Sequence, residues 1–142
     1  MGKFNLRYLL VLLVIILYKN TYASIGYPII TNYSSIDMGV TPQVWEVTQD
    51  SKGMLYFATN VGVVKFDGLN WNLYETPSNS AVRSIAIDQQ GTIFIGATRE
   101  FGYLKTDVNG KYIYVSISDS LENPSFKSVL KTFVIDDAVY FF

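Results

Sequence analysis

A unit of about forty residues, written twice and begun a third time, limits what this chain can fold into more than any other feature. The stretch "VTQDSKGMLYFATNVGVVKFDGLNWNLY" at 47–74 is answered by "IAIDQQGTIFIGATREFGYLKTDVNGKYIYV" at 85–115, then by "FVIDDAVYFF" at 133–142. Asp50 and Gly53 recur as Asp88 and Gly91 at an offset of 38, and Gly62 and Asp67 recur as Gly102 and Asp107 at 40. Asp67-Gly68 is answered by Asn109-Gly110 at an offset of 42. A drift of two residues at a time is what small loop insertions leave behind in otherwise equivalent units.

Each unit reads as four strands. In the first they are 44–49, 54–59, 62–66 and 70–75; in the second, 82–87, 92–98, 101–106 and 111–117. Short runs dense in Val, Ile, Phe, Tyr and Trp favour strand over helix, and no segment after residue 23 carries a 3.6-residue apolar period. "DSKG" and "DQQG" place Asp first and Gly fourth in a type I turn, where the carboxylate accepts the N–H two residues on. "DG" at 67–68 and "NG" at 109–110 read as two-residue hairpin loops with both residues at positive φ.

Consecutive hairpins in a four-stranded unit of this length describe a β-propeller blade. Helical and leucine-rich repeats fail on pattern, parallel β-helix turns have shorter periods, and an immunoglobulin-like sandwich would not repeat internally. The predicted fold is therefore all-β: an incomplete β-propeller of four-stranded antiparallel blades over 24–142, following a signal peptide at 1–23. Blade one covers about 40–78, blade two about 79–118, and a third starts at about 126–142. Propellers typically hold about 4–8 blades, so the reading expects a larger protein whose further blades partner these.

The leader expectation rests on the first 23 residues. Lys3 and Arg7 form a positive region, 8–18 is an unbroken apolar run, and Thr21-Tyr22-Ala23 offers small residues around a cleavage point. Eleven apolar residues make roughly 16 Å of helix, against about 30 Å of hydrocarbon to cross. Cleavage after Ala23 removes three of the 11 basic residues, leaving 8 against 12 acidic ones. A surface of that sign, without a basic cluster, repels nucleic acid.

The chain has no cysteine and no histidine. Disulfides, thiol chemistry, Cys/His zinc sites and imidazole bases are thereby excluded. Among carboxylates, Glu46 and Glu75 fall in different strands with nothing to bring them to glycosidase spacing. Asp50, Asp88, Asp107 and Asp136 read as turn formers. Asp136-Asp137 and the Asp119/Glu122 pair lack the multi-oxygen spacing of a calcium loop. The glycines form no phosphate-binding loop, and Gly96 in mid-strand reads as a point of close backbone approach. Tyr103, Phe101, Tyr112, Tyr114 and Phe126 are candidates for a stacking surface or, more simply, for packing between units. Arg99-Glu100 in "REFGYL" reads as solvent-facing charge on a loop. No catalytic, metal or cofactor residue is assigned, and ligand-binding residues stay unknown.

The wording of 44–74, "VWEVTQDSKGMLYFATNVGVVKFDGLNWNLY", resembles the repeat of the bacterial two-component regulator propellers. There a Trp-containing first strand leads to "QD..G.LYF", then "G…FDG", then "W..Y". "GYPIITNY" at 26–33 is similar to that family's lead-in. The stretch 78–121 looks like the second blade of the subfamily whose propeller precedes a triple-tyrosine β-sandwich, and "FKSVLKTFVIDDAVYFF" fits the next blade's opening strands.

The resemblance implies a modular receptor: signal peptide, periplasmic propeller, triple-tyrosine domain, one membrane helix, and a histidine kinase or DNA-binding output. It implies an exported, periplasmic chain, anchored in the inner membrane through further C-terminal sequence of the receptor. It also implies a dimer and a carbohydrate or other small extracytoplasmic ligand. The expected role is thus the N-terminal ligand-sensing fragment of a signal-transduction receptor, with no enzyme activity in this segment. Two alternatives stand beside it: a fragment of a secreted propeller enzyme acting on polysaccharide, and a non-functional truncated propeller or interaction module.

Overall fold

The computed structural model describes residues 43–122 and 125–142, together with 7, 10, 11, 26, 28–34 and 36–39. The chain divides into two compact units, 1–32 and 33–142. In the first unit Arg7, Leu10 and Val11 are helical; the expected leader otherwise lies outside the described residues. No helix among the described residues is long and apolar enough to cross a membrane.

The second unit is all-β, with antiparallel four-stranded sheets. Strands β1 (Val44–Gln49), β2 (Leu55–Thr59), β3 (Gly62–Phe66) and β4 (Trp71–Tyr74) pair in sequence order as one meander. Strands β5 (Val82–Ile87), β6 (Ile93–Ala97), β7 (Phe101–Thr106) and β8 (Tyr112–Ser116) repeat it. Strands β9 (Thr132–Ile135) and β10 (Ala138–Phe141) form a third hairpin. Helix in this unit is confined, among the described residues, to one 3₁₀ turn at Ser118–Ser120.

The three sheets fan out. β1 lies against β5 and β5 against β9, whereas contact between the outer strands β4 and β8 is much thinner. Period-two alternation supplies the faces. Tyr56, Ala58 and Val63 point from the first sheet; Ile85, Ile93, Ile95, Ala97 and Leu104 point back from the second, all buried in one cluster. Fully burying each isoleucine contributes about 1.5–3 kcal/mol. On the far face of the second sheet Phe101 packs on Phe141, with ring centroids 4.4 Å apart.

Close approach to the third sheet depends on Gly96. A Cβ there would run into Ser84 Oγ, Val129 Cγ1 and Thr132 Oγ1, so only hydrogen fits. Ser84 and Thr132 hydroxyls hydrogen-bond across the same gap at 2.7 Å. The mid-strand glycine thus marks a close approach, as its position in the sequence suggested.

The Asp-x-x-Gly turns form as read. Asp50 Oδ1 accepts the N–H groups of Lys52 and Met54, each at 2.9 Å. Gly53 donates to the Asp50 carbonyl at 3.1 Å. Asp88 repeats this with Thr92 at 2.7 Å and Gly91 at 3.1 Å. Both glycines sit at φ +85°, a region L side chains rarely adopt.

The other two turns depart from the sequence reading. "NG" is not a two-residue loop: Asp107 Oδ1 accepts from Asn109 and Lys111 at 2.8 Å each, so 107–111 is a third Asp-x-x-Gly turn. In "DGLN" the loop residues are Gly68 and Leu69, with Asp67 N–H bonded to the Asn70 carbonyl at 3.3 Å. Gly68, at φ +99°, takes the first central position, as glycine does in a type II′ hairpin. Asp67 lies outside the loop and caps it, accepting from Leu69 and Asn70. These N–H groups, Asn70 first, hold its carboxyl below the usual range.

Candidate functional site

The fan gathers the first strand of each sheet along one inner edge, and a repeated irregularity gives that edge its chemistry. β1 pairs Val44 with Thr59 and Glu46 with Ala58, which leaves Trp45 as an extra residue in a β-bulge. β5 pairs Val82 with Ala97 and Ser84 with Gly96, which leaves Arg83 in the same place. The two bulged residues meet: the Arg83 guanidinium lies 3.8 Å from the centre of the Trp45 ring. Such a stack is worth about 0.5–2 kcal/mol, depending on how dry it is. Trp45 remains 41% exposed, so the stack does not bury it. Arg83 Nε is buried and has no hydrogen-bond partner among the described residues.

Glu46 stands next to this pair and ties the three sheets together. Its Oε2 accepts the backbone N–H of Ile85 on β5 at 2.9 Å. Its Oε1 accepts from Lys131 Nζ, just before β9, at 2.8 Å. Lys131 is half exposed, so the ion pair itself contributes little. The hydrogen bond to Ile85 matters more, because that N–H has been taken out of water.

Glu75 cannot join Glu46 in acid–base chemistry. It follows β4, at the opposite edge of the sheet from β1; three interstrand steps of about 4.8 Å separate those edges. It lines instead an outer groove of about 540 Å³ with Tyr74, Asp107, Lys111 and Tyr114. Asp88, Asp136 and Asp137 border a smaller cleft of about 260 Å³ between the second and third sheets. Among the described residues no group of three potential ligands could hold a metal ion.

The five candidate aromatics divide between the two faces of the second sheet. Tyr112 and Tyr114 pack toward the first sheet, where Tyr112 meets Tyr74 edge-on at 5.3 Å. Phe101 touches Phe126 and Phe141, and Tyr103 lies beside Phe94, all toward the third. Between-sheet packing is therefore what Phe101, Phe126, Tyr112 and Tyr114 do, Tyr103 meets only Phe94 of its own sheet, and no common stacking surface forms from the five.

Burial, before any neighbour, pushes the phenols of Tyr56, Tyr74 and Tyr114 above their ordinary range. Tyr56 also donates to Asp50 Oδ2 at 3.1 Å, while the Tyr114 hydroxyl is buried without a partner among the described residues.

Glu100 corrects the reading of "REFGYL". Arg99 is exposed, but Glu100 is buried at 6% exposure, its carboxylate accepting from Ser80 Oγ. The Thr76–Ser80 connection between the sheets wraps over it: Ser80 N–H donates to Thr76 Oγ1 at 2.8 Å. Trp45 and Arg83 did not stand out as a pair in the sequence. The available signal was a break in alternation, since Val82 and Ile85 are both buried on one face yet lie three residues apart.

No protein-family model matches the chain, and no curated protein matches it.

Proposed function

We propose that the chain is part of a ligand-sensing β-propeller in an exported bacterial signal-transduction receptor of the two-component regulator type. The observation that carries this reading is the inner edge: repeated four-stranded meanders converge on their first strands, and a repeated bulge presents Trp45 and Arg83 there. An indole face beside a guanidinium suits a sugar ring or another small polar molecule with one apolar side.

A second feature supports the closure of a propeller. Phe133, Ile135, Tyr140 and Phe142 lie exposed on the face of the third sheet that points away from the second. On the equivalent face of each earlier sheet, the inner strands lie against the sheet that follows. Further blades of the same kind would cover this one. In a receptor, a ligand held more tightly by one arrangement of a dimer would shift the population toward it and bias the output.

The fluorescence of Trp45 tests the reading. The chain holds two tryptophans, so Trp71→Phe leaves Trp45 as the sole reporter. Titration with a panel of neutral oligosaccharides should give a saturable change for at least one class, abolished by Arg83→Ala. Silence across the panel, or cleavage of a glycosidic bond, overturns the sensor assignment. Alkaline phosphatase fused after residue 142 tests export separately: phosphatase activity in the bacterial periplasm is expected, and its absence removes the exported part of the reading.

A further inference from the structure

A different rim of the second sheet carries a second site. The turn after β6 and the segment before β9 meet there through the backbone. Arg99 N–H donates to the Lys127 carbonyl at 2.9 Å, Val129 N–H donates to the Ala97 carbonyl at 3.0 Å, and Thr98 bridges Ser128. Between them lies a cleft of about 550 Å³ lined by Thr98, Arg99, Ser125, Phe126, Lys127 and Ser128. Two cations, three hydroxyls and one aromatic ring make up its wall, and among the described residues no carboxylate does. On a chain of formal net charge −1, such a wall is not what overall composition would supply.

Three observations give the cleft a purpose. Arg99 sits at φ +65°. The other described non-glycine residues at positive φ are Asn79 and Asp136, types that tolerate the left-handed region; arginine does not, and glycine would fit better. Strain held in place by the surrounding hydrogen bonds points to use of the side chain. The neighbouring Glu100 turns inward to Ser80, so its carboxylate does not neutralise the guanidinium. Neither Arg99 nor Lys127 forms an ion pair among the described residues. Phe126 is fixed against Phe101 at 5.4 Å between ring centres and supplies a firm apolar floor.

We infer that this cleft binds an oxyanion, a carboxylate, sulfate or phosphate group, carried on a small ligand whose apolar face rests on Phe126. A guanidinium and an ammonium hold the charge, and the Thr98 hydroxyl, which accepts from Ser128 Oγ at 3.5 Å, is left to donate to a remaining oxygen. The site stands on the geometry of this chain alone and does not depend on the sensor reading.

Calorimetric titration of the chain with inorganic sulfate, inorganic phosphate and galacturonate, with galactose as the neutral control, tests it. At least one oxyanion should bind, at least about tenfold more tightly than galactose, and more weakly as salt screens the cations. Binding of sulfate and phosphate without galacturonate assigns a tetrahedral anion; the reverse assigns a carboxylate.

Arg99→Gly separates binding from folding, because glycine relieves the backbone. It should lower oxyanion affinity about tenfold or more while leaving the melting temperature unchanged or raised. Lys127→Gln should weaken binding while keeping the backbone carbonyl contact. Binding of no oxyanion, equal affinity for galactose, or undiminished affinity in Arg99→Gly overturns the assignment.

Discussion

Replacing Gly96 by alanine adds one carbon atom at a point of close approach between two sheets. Its Cβ would crowd Ser84 Oγ, Val129 Cγ1 and Thr132 Oγ1 at once. The backbone there is ordinary strand, so no strain in φ enters; the whole effect is packing. The two hydroxyls can rotate away only by giving up their 2.7 Å hydrogen bond, worth about 1 kcal/mol. Val129 is buried and β-branched, so it has no free rotamer to retreat to. Overpacking of this kind costs about 1–3 kcal/mol. The unfolded chain returns about 0.4–1 kcal/mol, because alanine has less freedom to lose than glycine. Packing and hydrogen-bond losses together then leave a net loss of about 1–3.5 kcal/mol, and it should fall on the third sheet. Amide hydrogen exchange reads this directly: protection of β9 and β10 should drop while β2, β3 and β6 keep theirs. Gly91→Ala is the matched control. No described atom lies within 4 Å of its added carbon, but φ is +85°, so about 1 kcal/mol of backbone strain should appear, confined to the 88–92 turn. Unchanged exchange at β9 and β10 in Gly96→Ala would refute the packing argument.

Other perturbations separate the remaining contributions. Tyr114→Phe removes a buried hydroxyl that has no partner among the described residues, so the urea midpoint should rise, by up to about 1 kcal/mol of stability. Glu46→Ala leaves the Ile85 N–H without its acceptor and should cost about 1–2 kcal/mol in the same assay; Glu46→Gln keeps an acceptor and should cost less than half of that. The buried tyrosines set an alkaline limit. Tyr56, Tyr74 and Tyr114 titrate higher in the folded chain than in the unfolded one, where a phenol loses its proton near about pH 10. Their contribution is thus fully present below about pH 10 and is lost as pH rises through the folded values. Thermal melts should be flat in this respect from about pH 7 to 9 and fall above about 10. A decline that sets in below about pH 9 and persists in Tyr114→Phe would show that other groups govern it.

Strand positions were legible because each depends on local composition and a period of two. β1, β3, β5 and β7 coincide with their sequence readings, and β2, β4, β6 and β8 differ only at the ends. Gly96 was legible for a similar reason, since a glycine amid β-branched residues asks for an explanation. The turn at 107–111 was misread because "NG" is a strong hairpin signal by itself. Only the carboxylate of Asp107, two residues earlier, decides where the loop begins. The burial of Glu100 depends on Ser80, twenty residues away, and no local pattern announces it. The Trp45–Arg83 stack required two separate bulges to fall at the same height on adjacent sheets. That is a property of the packed array, visible in sequence only as a broken alternation. The Arg99 cleft was hidden more deeply, since it joins a turn to a segment nearly thirty residues further along the chain through backbone hydrogen bonds that no local pattern announces.

The three Asp-x-x-Gly turns leave one consequence for how such a surface changes. In each, the aspartate carboxylate and the positive-φ glycine hold the loop's shape. Between them lie Ser51-Lys52, Gln89-Gln90 and Val108-Asn109, pairs that differ in charge, size and polarity. Their side chains take no part in the hydrogen bonds that define the turn. Ser51, Lys52, Gln89 and Gln90 also border one cleft of about 480 Å³. The frame and its lettering are therefore separate: the side chains this rim presents can be rewritten two residues at a time without disturbing the sheet beneath.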